Sequence, residues 1–352
     1  MPRGTAAVVR FSSLGDVLLA AQVPSFLRSA DPGRRVVFVT KERYAGALRG
    51  HPNVDRFYML EDRTSDPSEP APLGVKAGLG DLVAALKREG IEEVVDLHQN
   101  WRSMRVVNAF DRARRSIAPK YGLRRRLWVH ARWLRPKAVP PILSTYRSLA
   151  GVAPDHPSQP WLRQSLTESE RARGRALAPE GGRGFVFLGV GARWETKRWP
   201  ARHFVSLADA IRSELSLGVR FALAPGEADL MEEFRALLPA SRRGELVSAG
   251  FRETAALASL ASAIVSNDSA LLHLGAALGV PALGIFGSTI PQFGFAPEEP
   301  GGLVLEIPLS CRPCDVHGKR RCPLGHHACL ERLAPDRALA SLRSILERRS
   351  AA

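Results

Sequence analysis

Ser266, Asn267, Asp268 and Ser269 follow directly on the apolar run Ala261 to Val265, and His273 comes four residues after Ser269. The run reads as a buried strand, and Asn, Asp and Ser are residues that cap helix N-termini. Free N–H groups at a helix start suit a phosphate, and a carboxylate beside them suits sugar hydroxyls. An Ala-rich helix then runs to Gly279, a C-cap glycine with Pro281 just beyond. Ala282 to Phe286 is the next strand, and it opens into Gly287-Ser288-Thr289. The polar residues of this βαβ unit therefore gather beyond the carboxyl ends of its strands, where open α/β sheets hold ligands.

Three further segments carry chemistry of the same kind. Phe185 to Leu188 reads as a strand, followed by Gly189-Val190-Gly191 and then Lys197-Arg198-Trp199-Pro200. Glycines such as Gly191 let backbone approach a ligand closely, and Lys197 can neutralise a diphosphate. The spacing is neither a Walker A loop nor a dinucleotide fingerprint; a solvated basic loop with Pro at a helix start is the plainer alternative. Glu227 follows a strand ending at Ala224 and can bind ribose hydroxyls, or simply favour the start of the next helix. Asp16, in Ser12-Ser13-Leu14-Gly15-Asp16, sits in the first turn of a helix. The helix dipole alone stabilises an acid there. Held within hydrogen-bond reach of an attacking hydroxyl, the same acid serves as a general base.

These residues need strands and helices to position them, and the pattern supplies two alternating sets. In the first half, strands are expected at Ala6 to Phe11, Arg35 to Thr40 and Glu93 to Leu97, with helices from Asp16 to about Arg28 and Leu79 to Glu89. Asp62 to Gly78 reads as a loop, mobile by composition. Pro154 to Pro160 closes this domain, and Gly181-Gly182 punctuates before the next. The second set has strands at Phe185 to Leu188, Val219 to Ala224 and Ile264-Val265, with helices at Ala201 to Leu215 and Ala228 to Leu237. Alternation of this kind predicts parallel sheets covered by helices. The boundaries drawn are 1–165, 180–330 and a final helix, 335–349, expected to pack back on the first domain.

A chain of 352 residues, 45% hydrophobic, can bury two ordinary cores. No apolar run is long enough to span a bilayer, and no signal peptide is read before the first strand, so a cytoplasmic location is expected. The net charge of +15 is uneven: residues 1–150 hold 26 Lys and Arg against 14 Asp and Glu. Codon bias explains why 7 of the 50 basic residues are Lys, but not the excess over acids. The excess implies an anionic partner. It is densest from Arg102 to Lys137, with 12 basic residues, one acid (Asp111), and Trp128 and Trp133 interleaved. This segment, Arg124 and Arg125 included, is expected in the first domain, holding an anionic acceptor or touching the inner membrane surface. Cys311, Cys314, Cys322 and Cys329 are all the cysteines of the chain. They include one Cys-x2-Cys knuckle where zinc ribbons carry two, so reduced thiols are expected rather than a metal site.

In this order the segments resemble glycosyltransferase family 9, the ADP-heptose:lipopolysaccharide heptosyltransferases and their relatives, over most of the chain. Arg10 to Val17 is similar to the family's N-terminal motif, which implies that Asp16 is the catalytic base, with Ser13 and Gly15 beside the acceptor. Lys-Arg-Trp-Pro resembles the phosphate-contacting loop, giving Lys197 that role. Asn267-Asp268-Ser269 with His273 resembles the donor motif, and Glu227 falls near the ribose-binding Glu. Val95 to Ser103 resembles an acceptor-facing segment, implying roles for Asp96, His98, Asn100 and Arg102. Ala270 stands where the family has Gly, and Ala192-Arg193 where one subgroup has a Thr pair.

The resemblance implies a GT-B fold, two Rossmann-like domains facing across a cleft, and an inverting, metal-independent transfer with no cofactor. The donor would be a nucleotide sugar, ADP-heptose, and the acceptor an anionic glycolipid such as lipopolysaccharide core. A monomer without a nucleic-acid partner is expected. The alternatives are a GT-B nucleotide-sugar epimerase, and a non-catalytic basic nucleic-acid-binding protein. The second lacks any helix-turn-helix, zinc-finger or RNA-binding signature.

Overall fold

The computed structural model describes residues 4–62, 74–134, 136–180, 184–298 and 301–351. They form two compact units, one of 1–120 with 142–166, the other of 121–141 with 167–352. Each is an α/β unit built on a six-stranded parallel sheet.

In the first unit the strands are β1 (Thr5–Val9), β2 (Val36–Lys41), β3 (Arg56–Leu60), β4 (Gly74–Ala77), β5 (Ile91–Asp96) and β6 (Arg114–Ile117), in the order β4-β3-β2-β1-β5-β6. β1 is buried along its whole length because helices cover both faces of a parallel sheet. Val8 pairs with Phe38 on one side and Val95 on the other. The strand order reverses between β1 and β5, so their carboxyl ends flank the topological switch point. Helix α1 (Leu14–Ala20) follows β1, and α2 (Trp101–Val107) follows β5.

Several expected boundaries shift. The single helix from Asp16 to Arg28 is two, because Pro24 starts a new one at Val23–Ala30. Of the expected loop 62–78, residues 63–73 lie outside the described residues, and Gly74–Ala77 is an edge strand beside β3. It was missed because two of its four residues are exposed and carry no apolar run. Strand β6 lies unannounced inside the Arg-rich segment; it too is an edge strand, with both arginines exposed.

In the second unit α3 (Gly122–His130) comes first, then β7 (Phe185–Gly189), α4 (Ala201–Leu215), β8 (Gly218–Leu223), β9 (Leu246–Ser248), β10 (Ala263–Asn267), α5 (Leu274–Leu278), β11 (Ala282–Ile285), β12 (Gly302–Leu305) and α6 (Pro335–Ala351). The order is β12-β11-β10-β7-β8-β9, reversing between β7 and β10. The expected glycine pair 181–182 lies outside the described residues. Phe204 of α4 packs with Phe221 of β8 and with Phe234 in a core that also takes Leu342 and Ile345 of α6. Each such side chain contributes about 1.5–3 kcal/mol by leaving water. The C-terminal helix, expected on the first domain, thus packs on the second sheet beside α4, because its apolar stripe completes that core. Residues 121–141 also group with the second unit: Val139 N donates to Gln292 O at 2.9 Å.

Candidate functional site

At the switch point of the first sheet, β1 ends in Arg10 and the Ser12-Ser13 turn that starts α1. Asp16 lies in the first turn of α1. Its Oδ2 accepts from Ser13 Oγ at 2.8 Å and Ser13 N at 3.1 Å, a capping-box arrangement. Arg10 donates to the same Oδ2 at 2.9 Å. The Arg10 guanidinium also donates to Ser12 O at 2.7 Å and to Leu97 O, so one cation ties the end of β1, the end of β5 and the acid together. The Asp16 side chain keeps 23% of its surface exposed. Gly15 is buried in the same turn. Arg10 opens the motif read from the sequence, yet only its contacts assign it a task.

Past β5, two expected acceptor residues are structural. Asp96 is fully buried; its Oδ1 accepts from His98 N and Gln99 N, and its Oδ2 from Ser103 Oγ. Asn100 caps α2, accepting from Arg102 N at 3.0 Å and Ser103 N at 2.9 Å. These bonds engage both Asp96 oxygens and Asn100 Oδ1. They shape the loop that presents His98 and Arg102. His98 stands edge-on to Phe11, and burial, helped by Arg10, pushes its pKa down to about 4. Its imidazole is therefore neutral near pH 7. Arg102 stacks over Trp101 at 4.6 Å.

In the second unit the loops after β11, β10, β7 and β8, four neighbouring parallel strands, all open at one edge. Asp268, after β10, accepts on Oδ2 from Thr289 Oγ1 at 2.6 Å and pairs with Lys197 Nζ at 2.6 Å. Lys197, Asp268 and Thr289, separated in sequence, are thus one cluster. The Asp268 oxygen expected to meet sugar hydroxyls is already engaged by the lysine and the threonine. Asn267 works beneath it, accepting from Trp199 N and donating to Val190 O, so it clamps both ends of the Gly191–Lys197 loop. Glu227 closes the turn after β8, accepting from Ala224 N at 2.8 Å. A Cβ on Gly191 would fall 2.2 Å from the Glu227 carboxylate, which explains the glycine by close approach.

The helix expected from Ser269 to Gly279 is instead a 3-10 turn, Ala270–His273, leading into the five-residue α5. The tighter turn drives Leu272 into the core against Gly284, whose absent Cβ leaves it room. Ser269 remains the N-cap, its Oγ 3.3 Å from Ser266 Oγ, and His273 ends the turn half-buried. Gly279 takes φ +66°, the C-cap conformation expected of it. Gly287 has a packing role: a Cβ there would meet Leu330 at 2.7 Å and Thr196 O at 2.9 Å.

Arg312, unremarked in the sequence, is 7% exposed and donates to the carbonyls of Phe286, Gly287, Thr289 and Ile307 and to Glu306. It fixes the loop that carries Thr289. Cys314 N adds a bond to Ser288 O at 3.0 Å. The Cys-Arg-Pro-Cys segment is therefore a brace for the β11 loop, a role with no local signal in the sequence. The four cysteines are free thiols, and burial pushes Cys329 up to about 11. Among the described residues no group of three or more His, Cys, Asp or Glu is placed to hold a metal ion.

Arg124 and Arg125, expected near the first-domain acceptor, belong to the second unit. Arg125 donates twice to Phe293 O, at 3.1 and 3.0 Å, and stacks over Phe295 at 4.8 Å, so it anchors α3. Arg124 stacks over Tyr121 at 5.2 Å.

The family model of glycosyltransferase family 9 (heptosyltransferase) matches residues 80–323, which hold all of the second-unit cluster. The chain belongs to this family. The family 9 chain is 29% identical over 157 residues to lipooligosaccharide heptosyltransferase 2 of Haemophilus influenzae, a stretch covering 43% of each protein. The chain thus spans less than half the length of that curated relative. Two solved structures share its fold nearly end to end. A family 9 glycosyltransferase from Veillonella parvula has a TM-score of 0.75 at 18% identity, covering 98% of both chains. The ADP-heptose lipopolysaccharide heptosyltransferase II of E. coli has a TM-score of 0.69 at 20% identity, covering 98% of this chain and 99% of that one. The fold of this family 9 member is accordingly GT-B.

Proposed function

We propose that the chain transfers a sugar, heptose, from a nucleoside-diphosphate sugar, ADP-heptose, to an anionic glycolipid acceptor of the lipopolysaccharide-core kind. The observation that carries the reading is the Lys197–Asp268–Thr289 cluster at the carboxyl edge of the second sheet, with Glu227 against Gly191 at the same edge. A lysine at the strand ends, fixed by a carboxylate that a threonine hydroxyl also holds, suits a diphosphate, and a carboxylate at a strand end suits a ribose. Relatives named heptosyltransferase 2 support heptose as the sugar.

In the first unit Asp16 takes the proton from the acceptor hydroxyl as its oxygen attacks the anomeric carbon. The new O–C bond forms while the bond from that carbon to the diphosphate oxygen breaks, and the diphosphate leaves with the electron pair. One displacement of this kind inverts the configuration. Lys197 and backbone N–H groups near Thr289 stabilise the charge that develops on the leaving group, the part played by metal ions in other transferases. Arg10 and Ser13 hold the Asp16 carboxylate in place for the transfer.

A thermal-shift panel of nucleoside diphosphates and nucleotide sugars, followed by a transfer assay with ADP-heptose and a core acceptor, tests the reading. Stabilisation by ADP and ADP-heptose, with product formed only when Asp16 is present, is expected. Stabilisation by uridine or guanosine nucleotides alone would reject ADP-heptose as donor.

A further inference from the structure

Helix α3 has an unusual surface for a helix of a folded unit: none of its nine residues is buried. A helix in a globular protein ordinarily buries one stripe. Three large apolar side chains of α3 and the turn after it stand in solvent, Leu123 at 74%, Trp133 at 74% and Leu134 at 62% exposed. Beside them Tyr121, Leu123, Leu127 and Pro136 line an apolar pocket of about 400 Å³, together with Arg124 and Lys137. Residues 121–141 also carry six Lys and Arg and no acid. The segment is nevertheless held firmly to its own unit. Arg125 is spent on Phe293 O and the Phe295 ring, and Val139 N on Gln292 O, so the rest of the face is presented outward on a fixed base.

We infer that α3 with the residues around Trp133, Leu134 and Lys137 docks the protein on an anionic lipid bilayer, with Leu123, Trp133 and Leu134 entering the interface and Arg124, Arg126 and Lys137 meeting headgroup phosphates. Two properties have to be matched together. Positive charge without a single acid matches any polyanion. Exposed Leu and Trp beside it match only a surface that is anionic at the top and apolar beneath, since Trp favours headgroup depth and Leu the acyl boundary. A nucleic acid would satisfy the first property and leave the apolar side chains in water. Among the described residues no helix is long and apolar enough to cross a membrane, so the contact is on the surface. The site lies in the second unit, whereas residues 102–120 of the Arg-rich segment group with the first. It goes beyond the transfer reading and is measured without the reaction.

Flotation of the full chain with phosphatidylglycerol/phosphatidylcholine vesicles, against phosphatidylcholine alone, tests the inference. Binding to the anionic vesicles that weakens with added salt is expected. Leu123→Ser, Trp133→Ser and Leu134→Ser combined should weaken it about tenfold or more, with unchanged Tm and ADP affinity. Arg126→Glu with Lys137→Glu should abolish it at low salt. Wild-type protein that ignores anionic vesicles overturns the inference, and so does a triple variant that binds as wild type. Tighter binding to duplex DNA than to anionic vesicles also overturns it. Should the triple variant lose Tm, quenching by brominated lipid decides instead: loss of quenching in Trp133→Phe supports insertion, and no quenching of the wild type overturns it.

Discussion

Asp16 Oδ2 receives Arg10, Ser13 Oγ and Ser13 N, and that crowding is what turns an ordinary first-turn acid into a positioned one. Replacing it with Asn keeps the shape and the cap but removes the proton acceptor. Asp16→Asn is therefore expected to leave ADP affinity and Tm near wild type and to lower turnover by ~10²-fold or more. Steady-state kinetics beside calorimetry checks this, and near-normal turnover would remove Asp16 as the base. In the other unit Lys197 gives its charge to Asp268 and, in the proposed complex, to the diphosphate. Lys197→Ala should weaken nucleoside-diphosphate binding by roughly 1–3 kcal/mol, the range for a lost charge-assisted contact. An unchanged dissociation constant for ADP in calorimetry would exclude that role.

At the scale of elements, the loops after β7, β10 and β11 are held by buried polar side chains rather than by their own sequence. Asn267 clamps the first, and Arg312 braces the last. Removing Arg312 takes a buried donor from four carbonyls and a partner from the half-buried Glu306. Arg312→Met should cost about 3–5 kcal/mol of stability, as broken buried charge contacts do, and should weaken ADP binding through Thr289. Urea unfolding with ADP titration reads both, and a variant as stable as wild type would show the brace to be dispensable. Gly191 differs in kind. The atoms that a Cβ would meet are the end of the flexible Glu227 side chain. Gly191→Ala should therefore move Glu227 and lower ADP affinity with a stability change of about 1 kcal/mol or less. A variant that binds ADP as wild type does would detach Glu227 from the nucleotide.

The stability of the whole molecule should depend on acid through its buried histidines. His51 is enclosed, stacks on Trp161 and bonds Ala21 O, and burial pushes its pKa from 6.5 down to about 4. His98 is pushed the same way. The unfolded chain binds these protons below about pH 6.5, whereas the folded protein resists them until about pH 4. Stability is then fully present above pH 6.5 and falls as pH drops through that window. His51 alone accounts for a loss of about 3 kcal/mol. Denaturant unfolding at pH 7 and pH 4.5 measures the slope, and His51→Gln should flatten it. An equal slope in the variant would place the acid sensitivity elsewhere.

Much of this protein was legible without its structure. Apolar runs bounded by Gly, Pro and capping residues announced β1, β2, β5, β7, β8, β10 and β11, because strands buried on both faces are rich in apolar residues. Asp16, Lys197, Glu227, Asp268 and Thr289 were legible because each follows such a strand, and parallel strands put their following loops at one edge. Edge strands β4, β6, β9 and β12 were not, since short half-exposed strands carry no run to read, and neither was the interior β3, which opens on a charged residue. Tertiary structure alone decided which polar residues were spent. Asp96, Asn100 and Arg125 look like binding residues in one dimension, yet Asp96 and Asn100 bond the turn that follows them and Arg125 bonds Phe293 O, 168 residues on. It also decided that Arg10 and Arg312 matter, because a guanidinium that bridges several segments has no local signature. The last helix went to the second unit for the same reason: an apolar stripe specifies that a core is needed, and only the packed chain specifies whose.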